Sequence, residues 1–315
     1  MFKTSNYFIK RYTQQEEIAH HMALVREGQL KNVYRNARRE LEANLAIFIQ
    51  KYRRANGFTR ADAEKFLNVE EIAEFRYTIG GYIKKINKYV QEAGNDVPAE
   101  ALALKKELDI LSGRTRVSRM MELKALVNGI LADMSMKNHS EIKEHLDEVI
   151  QYAYADALQI MKNNTLAHLD KEVIEGIANQ DWKGLNYSRR VWKSRKGLAR
   201  RAMKMIADGF VQGHDFKTIS NKLSDVMQQG FYESRRLIET ETTFALERTK
   251  KKVFDDLKVT KYQYIATIDK NTSDTCKILN NQIFNMKDRH IGLNCPPMHP
   301  FCRSTTIPYI TKEKK

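Results

Sequence analysis

Proline and glycine are scarce in this chain: five prolines and 14 glycines in 315 residues. That scarcity excludes a collagen-like or low-complexity chain and suits long helices, as do the 30% charged residues. Cysteine is scarcer still. Three thiols are an odd count, so a disulfide framework is not expected, and clustered Cys and His in a reducing compartment bind metal or simply pack. No apolar run approaches the roughly 18 residues of a membrane span. The opening "MFKTSNYFIKRYTQQEE" has no apolar signal core, so synthesis and folding in a cytosol are expected. A glycine-rich phosphate loop, a Gly-x-Ser-x-Gly elbow and an HExxH pair are all missing, so common routes to catalysis have no residues to carry them.

Positive charge is what the chain has in excess. Lys and Arg number 54 against 39 Asp and Glu, a net charge of +15. That exceeds the roughly 2–8 that keeps a small domain soluble, and it implies an anionic partner, nucleic acid first. Half of one stretch is basic: "RRVWKSRKGLARRAMK", residues 189–204, has eight cations and no acid. On a helix Arg189, Arg190, Lys193, Arg195, Lys196, Arg200, Arg201 and Lys204 cannot all be ion-paired locally. They form a candidate stripe for phosphates or for an acidic protein, with salt-dependent, sequence-independent affinity. Trp192 within it, at helical spacing from Leu198 and Ala199, reads as core.

Helical patterning dominates up to residue 257. Apolar residues recur at three- and four-residue steps over 14–55, and Asn56-Gly57 stops that helix. Thr59 and the Asn68/Glu71 capping box start new helices, and Gly94-Asn95 ends the second. Pro98 opens a helix that Gly113 breaks. "VSRMMELKALVNGILADM" resumes, Asn138 with Glu141 caps a further helix, and a shorter one follows Asp170. Inside a helix near residue 240 lies "ETET". Glu239 and Glu241, two apart, point to different faces there, so solvated or ion-paired side chains are expected instead of a catalytic pair.

After residue 258 the pattern changes. "YQYIATI", residues 262–268, alternates like a strand, and "NQIF" and "RSTTIPYI" are short partners. The expected fold is mainly α: an extended multi-helix body with a small C-terminal α+β module. The expected segments are an N-terminal helical region 1–180, a basic helical segment 181–257 and the module 258–315. The tail "TKEKK" should fray.

Four of the five prolines and two of the three cysteines lie in "NCPPMHPFCRSTTIPY", residues 294–309. With Cys276 they give the spacing C-x18-C-x3-H-x2-C: Cys276, Cys295, His299, Cys302. Three thiolates and an imidazole suit a structural zinc site. A module this small has too little core to stabilise itself, and zinc can contribute an apparent ~10–16 kcal/mol. The competing reading is three small buried apolar residues and a hydrogen-bonded turn histidine. His290 is a substitute ligand, although a lone loop histidine more often faces solvent.

These residues also resemble a known family. "IATIDKNTSDTCKILNNQIF" and "GLNCPPMHPFCRSTTIP" are similar to the phage minor head proteins, the Mu-F-like head morphogenesis family. The resemblance rests on Asp269, Thr272, Ser273, Asp274, Cys276, Gln282–Phe284, Gly292, Asn294, Pro296, Pro297, His299, Pro300, Cys302, Arg303, Ser304 and Thr306. With "SRRVW" and "RLIETETT" upstream it covers about residues 180–308. Relatives often carry a small residue where Cys295 stands. Some carry a second cysteine where this chain has Leu279. The four-ligand set is therefore a property of this sequence and not of the family.

The resemblance implies a minor capsid protein inside the head of a tailed bacteriophage, made in the host cytoplasm. It would contact the portal, other head proteins and packaged double-stranded DNA, and act in head assembly or DNA ejection. No catalysis is expected. The alternative is a Mu-F-like module attached to a toxin, a nuclease or ADP-ribosyltransferase. The chain ends seven residues past Pro308, where no downstream catalytic domain is expected.

Overall fold

A computed structural model describes residues 5–52, 58–94, 97–161 and 168–310. The stop at Asn56-Gly57, the residue Asn95 and the fraying of 311–315 lie outside the described residues. Among those described, the chain is mainly helical with one small antiparallel sheet, as the patterning predicts. Its helices are α1 (Ser5–Tyr52), α2 (Arg60–Glu64), α3 (Val69–Ala93), α4 (Ala99–Ser112), α5 (Arg119–Ile160), α6 (Lys171–Ala178), α7 (Tyr187–Val211), α8 (Phe216–Asp256) and α9 (Asp274–Leu279). The strands are β1 (Lys261–Ile265), β2 (Ile283–Asn285) and β3 (Thr305–Pro308), in the order β2-β1-β3. No described helix is long and apolar enough to cross a membrane.

Local signals explain most boundaries. Asn68 accepts from the Glu71 N–H, and Glu71 accepts from the Asn68 N–H, so the capping box starts α3. Gly94, at φ +54°, ends it. Asn138 does not cap a helix. α5 runs through it without a break, and the side chain is buried, donating to Ser234 Oγ at 2.8 Å. Tyr34 Oη lies 2.8 Å from that same oxygen. A lateral polar cluster uses the amide that the spacing had suggested for a cap.

Contacts divide the chain into two compact units, each built from several stretches of sequence. One comprises residues 1–28, 141–187 and 235–315, the other 29–140 and 188–234. The boundaries near residues 28, 140 and 234 fall inside α1, α5 and α8, because a continuous helix gives no periodicity signal when its partners change.

The unit of 29–140 and 188–234 is an apolar helical assembly. α3 buries Phe75, Ile79, Tyr82, Ile86 and Tyr89 at alternating steps of four and three. α4 adds Ala101, Leu104, Leu108 and Leu111, and α7 adds Trp192, Leu198, Ala202, Ile206 and Phe210. Trp192 is fully buried and donates to Tyr89 Oη at 3.0 Å, so it is core, as its spacing predicts. Gly129 is a close approach: a Cβ there would lie 2.5 Å from the Tyr82 ring.

The other unit contains the sheet. Tyr262 and Tyr264, two apart on β1, share one buried face. Tyr262 pairs with Phe284 on β2 and Pro308 on β3, and Tyr264 pairs with Thr306. The predicted strand 262–268 stops at Ile265, because the Ala266 N–H bonds to the Asn280 side chain instead of a ladder partner.

Candidate metal centre

One face of α8 anchors the proline-rich turn. Thr240, Thr243, Glu247 and Lys250 recur at helical spacing, and all are buried. Thr240 Oγ1 accepts the Phe301 N–H at 3.2 Å, and Thr243 Oγ1 donates to the Cys302 carbonyl at 2.5 Å. Phe301 holds φ +58°, a left-handed conformation costing an L-residue about 1–2 kcal/mol. The Thr240 bond helps to offset that cost.

Below this turn Glu247 organises a buried ionic network. Its carboxylate accepts from Arg289 at 2.7 Å, Lys250 at 3.0 Å and Thr306 Oγ1 at 2.5 Å. The Thr306 N–H and Thr305 Oγ1 add bonds of 3.2 Å each. Burial alone would raise the Glu247 pKa. The Lys250 and Arg289 charges and the Thr306 bond more than offset it and hold the carboxyl below its ordinary value.

Three of the four candidate ligands converge. Cys276, His299 and Cys302 place one donor atom each within 4.8 Å of one another. Cys276 Sγ lies 3.4 Å from His299 Nε2 and 3.9 Å from Cys302 Sγ. A tetrahedral ion with the usual zinc–sulfur and zinc–nitrogen bond lengths has ligand–ligand edges of about 3.8 Å for S···S and about 3.5 Å for S···N. The two measured separations match those edges. The residues present therefore fit a thiolate–imidazole metal site.

Several features prepare the ligands. His299 Nδ1 lies 2.8 Å from the Pro300 carbonyl, and donating its proton there leaves the Nε2 lone pair toward the sulfurs. Cys276 is the third residue of α9, and its N–H bonds to the Ser273 side chain that caps the helix. Tyr264 Oη donates to Cys276 Sγ at 3.2 Å. Cys302 as hydrogen-bond donor, then burial acting against it, then Ser273, Ser304 and Tyr264 together bring the Cys276 thiol down to about 4. The Cys302 thiol is pushed up, first by that same Cys276 bond and then by burial. The pair gives up one proton readily and holds the second, which a cation would displace.

Cys295 is not among the converging donors. Its thiol lies 3.7 Å from Glu247 Oε2, and burial raises it to about 12 with Arg289 and Glu247 acting in opposite directions. A neutral thiol donating to a carboxylate is the wrong state for a ligand. The spacing alone could not separate it from Cys302. His290 is exposed in its turn and likewise outside the cluster.

Beside the cluster lies a cavity of about 680 Å³, which Cys276 and His299 line together with His20, Glu239, Arg235 and Arg303. Glu239 and Glu241 are buried, not solvated, and Glu239 Oε2 lies within hydrogen-bond distance of His20 Nδ1, at 2.6 Å. Arg303 pairs with Glu16 and Arg235 with Glu27. His20 was not singled out in the sequence. Glu16 lies one helical turn before it, but Glu239 and Thr243 lie more than two hundred residues away, beyond any local pattern.

The basic run splits by helical geometry. Arg189, Lys193, Lys196, Arg200 and Lys204 are exposed at steps of four, three, four and four and form one stripe on α7. Arg190 and Arg201 are half-buried, and Arg201 pairs with Glu233 at 2.8 Å. Arg195 is buried, bonds to Asn128 Oδ1 at 3.1 Å, and is lowered by burial to about 10.

Comparison with known proteins gives three findings. The chain is similar to the NAD(+)--arginine ADP-ribosyltransferase EFV of Enterococcus faecalis (strain ATCC 700802 / V583), 24% identical over 173 residues. The alignment covers 52% of this chain and 36% of the relative, so the chain spans about a third of that relative's length. No solved structure matches. The family model described as phage Mu protein F like protein matches residues 202–307, which hold α8, β1, β2, most of β3 and all three converging donors. Over residues 202–307 the chain is similar to the phage Mu protein F like family, a likeness that supports a bacteriophage head protein.

Proposed function

We propose that this chain is a minor capsid protein of a tailed bacteriophage, held inside the head near the portal and the packaged DNA. In this reading it acts in head assembly and DNA ejection and turns over no substrate. The observation that carries the reading is the family match over residues 202–307. A metal ion, zinc by the softness of its donors, would be held by Cys276, His299 and Cys302. When bound it would supply a cross-link between α9 and the proline-rich turn. The stripe of Arg189, Lys193, Lys196, Arg200 and Lys204 would meet phosphates non-specifically.

Mass spectrometry of purified virions tests the placement. The chain should be present at a small fraction of the major capsid protein, and its absence from mature particles would leave an assembly scaffold instead. Duplex DNA should be retarded at low ionic strength, with a weaker salt dependence when Lys193, Lys196, Arg200 and Lys204 are changed to Gln.

A second reading draws on the similarity to the ADP-ribosyltransferase, and on Glu239 lying buried beside a cavity with His20. On that reading the module belongs to a transferase. Incubation with labelled NAD and an arginine-bearing acceptor discriminates: transfer of label to the acceptor would overturn the assignment without turnover.

A further inference from the structure

The converging donors number three among the described residues, and no fourth His, Cys, Asp or Glu joins them. A closed structural zinc site has four protein ligands, whereas three protein ligands leave a position for something else. That position has a route to solvent, because Cys276 and His299 themselves line the neighbouring cavity.

Several polar groups around that cavity are already engaged. His20 is held by Glu239 at 2.6 Å and lies 3.1 Å from Thr243 Oγ1. Arg303 is on Glu16. Asp269 accepts from the Asn271 N–H at 2.7 Å, and Ser273 Oγ accepts from the Cys276 N–H. Reaching the fourth position would cost His20, Arg303 or Asp269 its present partner. Water carries no such cost, and the cavity admits much larger molecules than water.

We propose that the metal held by Cys276, His299 and Cys302 keeps its fourth coordination position open to the adjacent cavity, where it takes an exogenous small ligand. Water occupies it at rest and is displaced by a small anionic or nitrogen donor. The exchange breaks one metal–oxygen bond, forms one bond to the incoming donor and releases water, with no oxidation. The inference rests on the metal reading above and goes beyond it. It assigns an accessible coordination site where the sequence spacing predicts a closed four-ligand staple.

Cobalt(II) in the full-length protein tests it, because its visible spectrum reports both thiolate ligation and coordination number. Stoichiometric uptake with thiolate charge-transfer bands is expected. Titration with azide or 1-methylimidazole should then shift the ligand-field bands saturably, while Cys295→Ser leaves uptake and the charge-transfer bands unchanged. Cys302→Ser should lower cobalt affinity by at least roughly tenfold. A cobalt protein whose spectrum ignores both added ligands would overturn the open position and leave the metal reading standing. Loss of a thiolate band in Cys295→Ser would do the same by naming the fourth ligand. Failure of the unmodified protein to take up cobalt or zinc would overturn both.

Discussion

The two compact units are held together by different chemistry. Residues 29–140 with 188–234 bury aromatic and aliphatic side chains from α3, α4, α5 and α7 around Trp192. Residues 1–28, 141–187 and 235–315 bury an unusual share of polar groups: Gln15, Glu16, His20, His145, Glu239, Glu241, Thr242, Thr243, Glu247, Lys250, Thr305 and Thr306. Apolar packing is non-directional and degrades gradually when one group is trimmed. A buried ionic network is directional, and loss of one member leaves the others desolvated without a partner. The first unit should therefore tolerate substitutions that the second does not.

The largest expected effect follows from Glu247. It is fully buried and answers Arg289 and Lys250, which are buried too. Glu247→Ala strands both cations, and removal of one partner from a buried pair costs about 3–5 kcal/mol. Urea denaturation should show that loss as a lowered midpoint, with Glu247→Gln losing less because the amide oxygen still accepts. A Glu247→Ala midpoint within experimental error of the parent would show that the network stabilises nothing, and the contrast between the units would fail.

The contrast also explains which features could be read in advance. The helices of the apolar unit follow from apolar spacing and from caps such as Asn68/Glu71, because helix periodicity is local. The strands were legible from "YQYIATI", whose alternation brings Tyr262 and Tyr264 to one face. Two donors of the cluster, His299 and Cys302, were visible as scarce residues in a proline-rich turn, and Cys276 as the one cysteine outside it. By spacing alone Cys295 looked equally good, and the family resemblance set it below the other three; its fate depends on Glu247, 48 residues upstream and on a different element. His20 and the depth of "ETET" escaped for the same reason. Polar networks join residues distant in sequence, each of which reads as an ordinary exposed side chain. The unit boundaries were hidden because they fall within unbroken helices.

A smaller effect sharpens the comparison from the apolar side. Gly129→Ala would bring a Cβ to 2.5 Å from the Tyr82 ring, and overpacking of that kind costs about 1–3 kcal/mol. Gly176 on α6, in the polar unit, has nothing within 4 Å of its would-be Cβ. Gly176→Ala should stabilise by about 0.5–1 kcal/mol through helix propensity. Thermal denaturation of the two variants should move the midpoint in opposite directions. A stabilising Gly129→Ala would mean that Tyr82 can move aside, and that the core is looser than its burial implies.

Acid is the most selective probe of the polar unit, through His145. The imidazole is buried on α5, with Nε2 2.7 Å from Thr242 Oγ1. Burial first, then the nearby charges of Arg26 and His20, lower it to about 3 from an ordinary 6.5. The folded chain thus keeps this ring neutral while the unfolded chain protonates it. Its contribution is fully present above pH 6.5 and is lost progressively as pH falls toward 3. One proton taken up on unfolding gives a slope of about 1.4 kcal/mol per pH unit, so roughly 1.4 kcal/mol should be gone by pH 5.5. His145→Gln can still bond to Thr242 and cannot titrate, so its stability should change less over the same interval. Hydrogen exchange at pH 7 and pH 5.5 would locate the loss. Amides of residues 141–160 and 235–256 should lose protection in the parent and keep it in the variant, while α3 and α4 change little in either. Equal loss in α3 and α4 would show that acid acts through general charge repulsion at a net charge already strongly positive, and the distinction between the two units would not extend to pH.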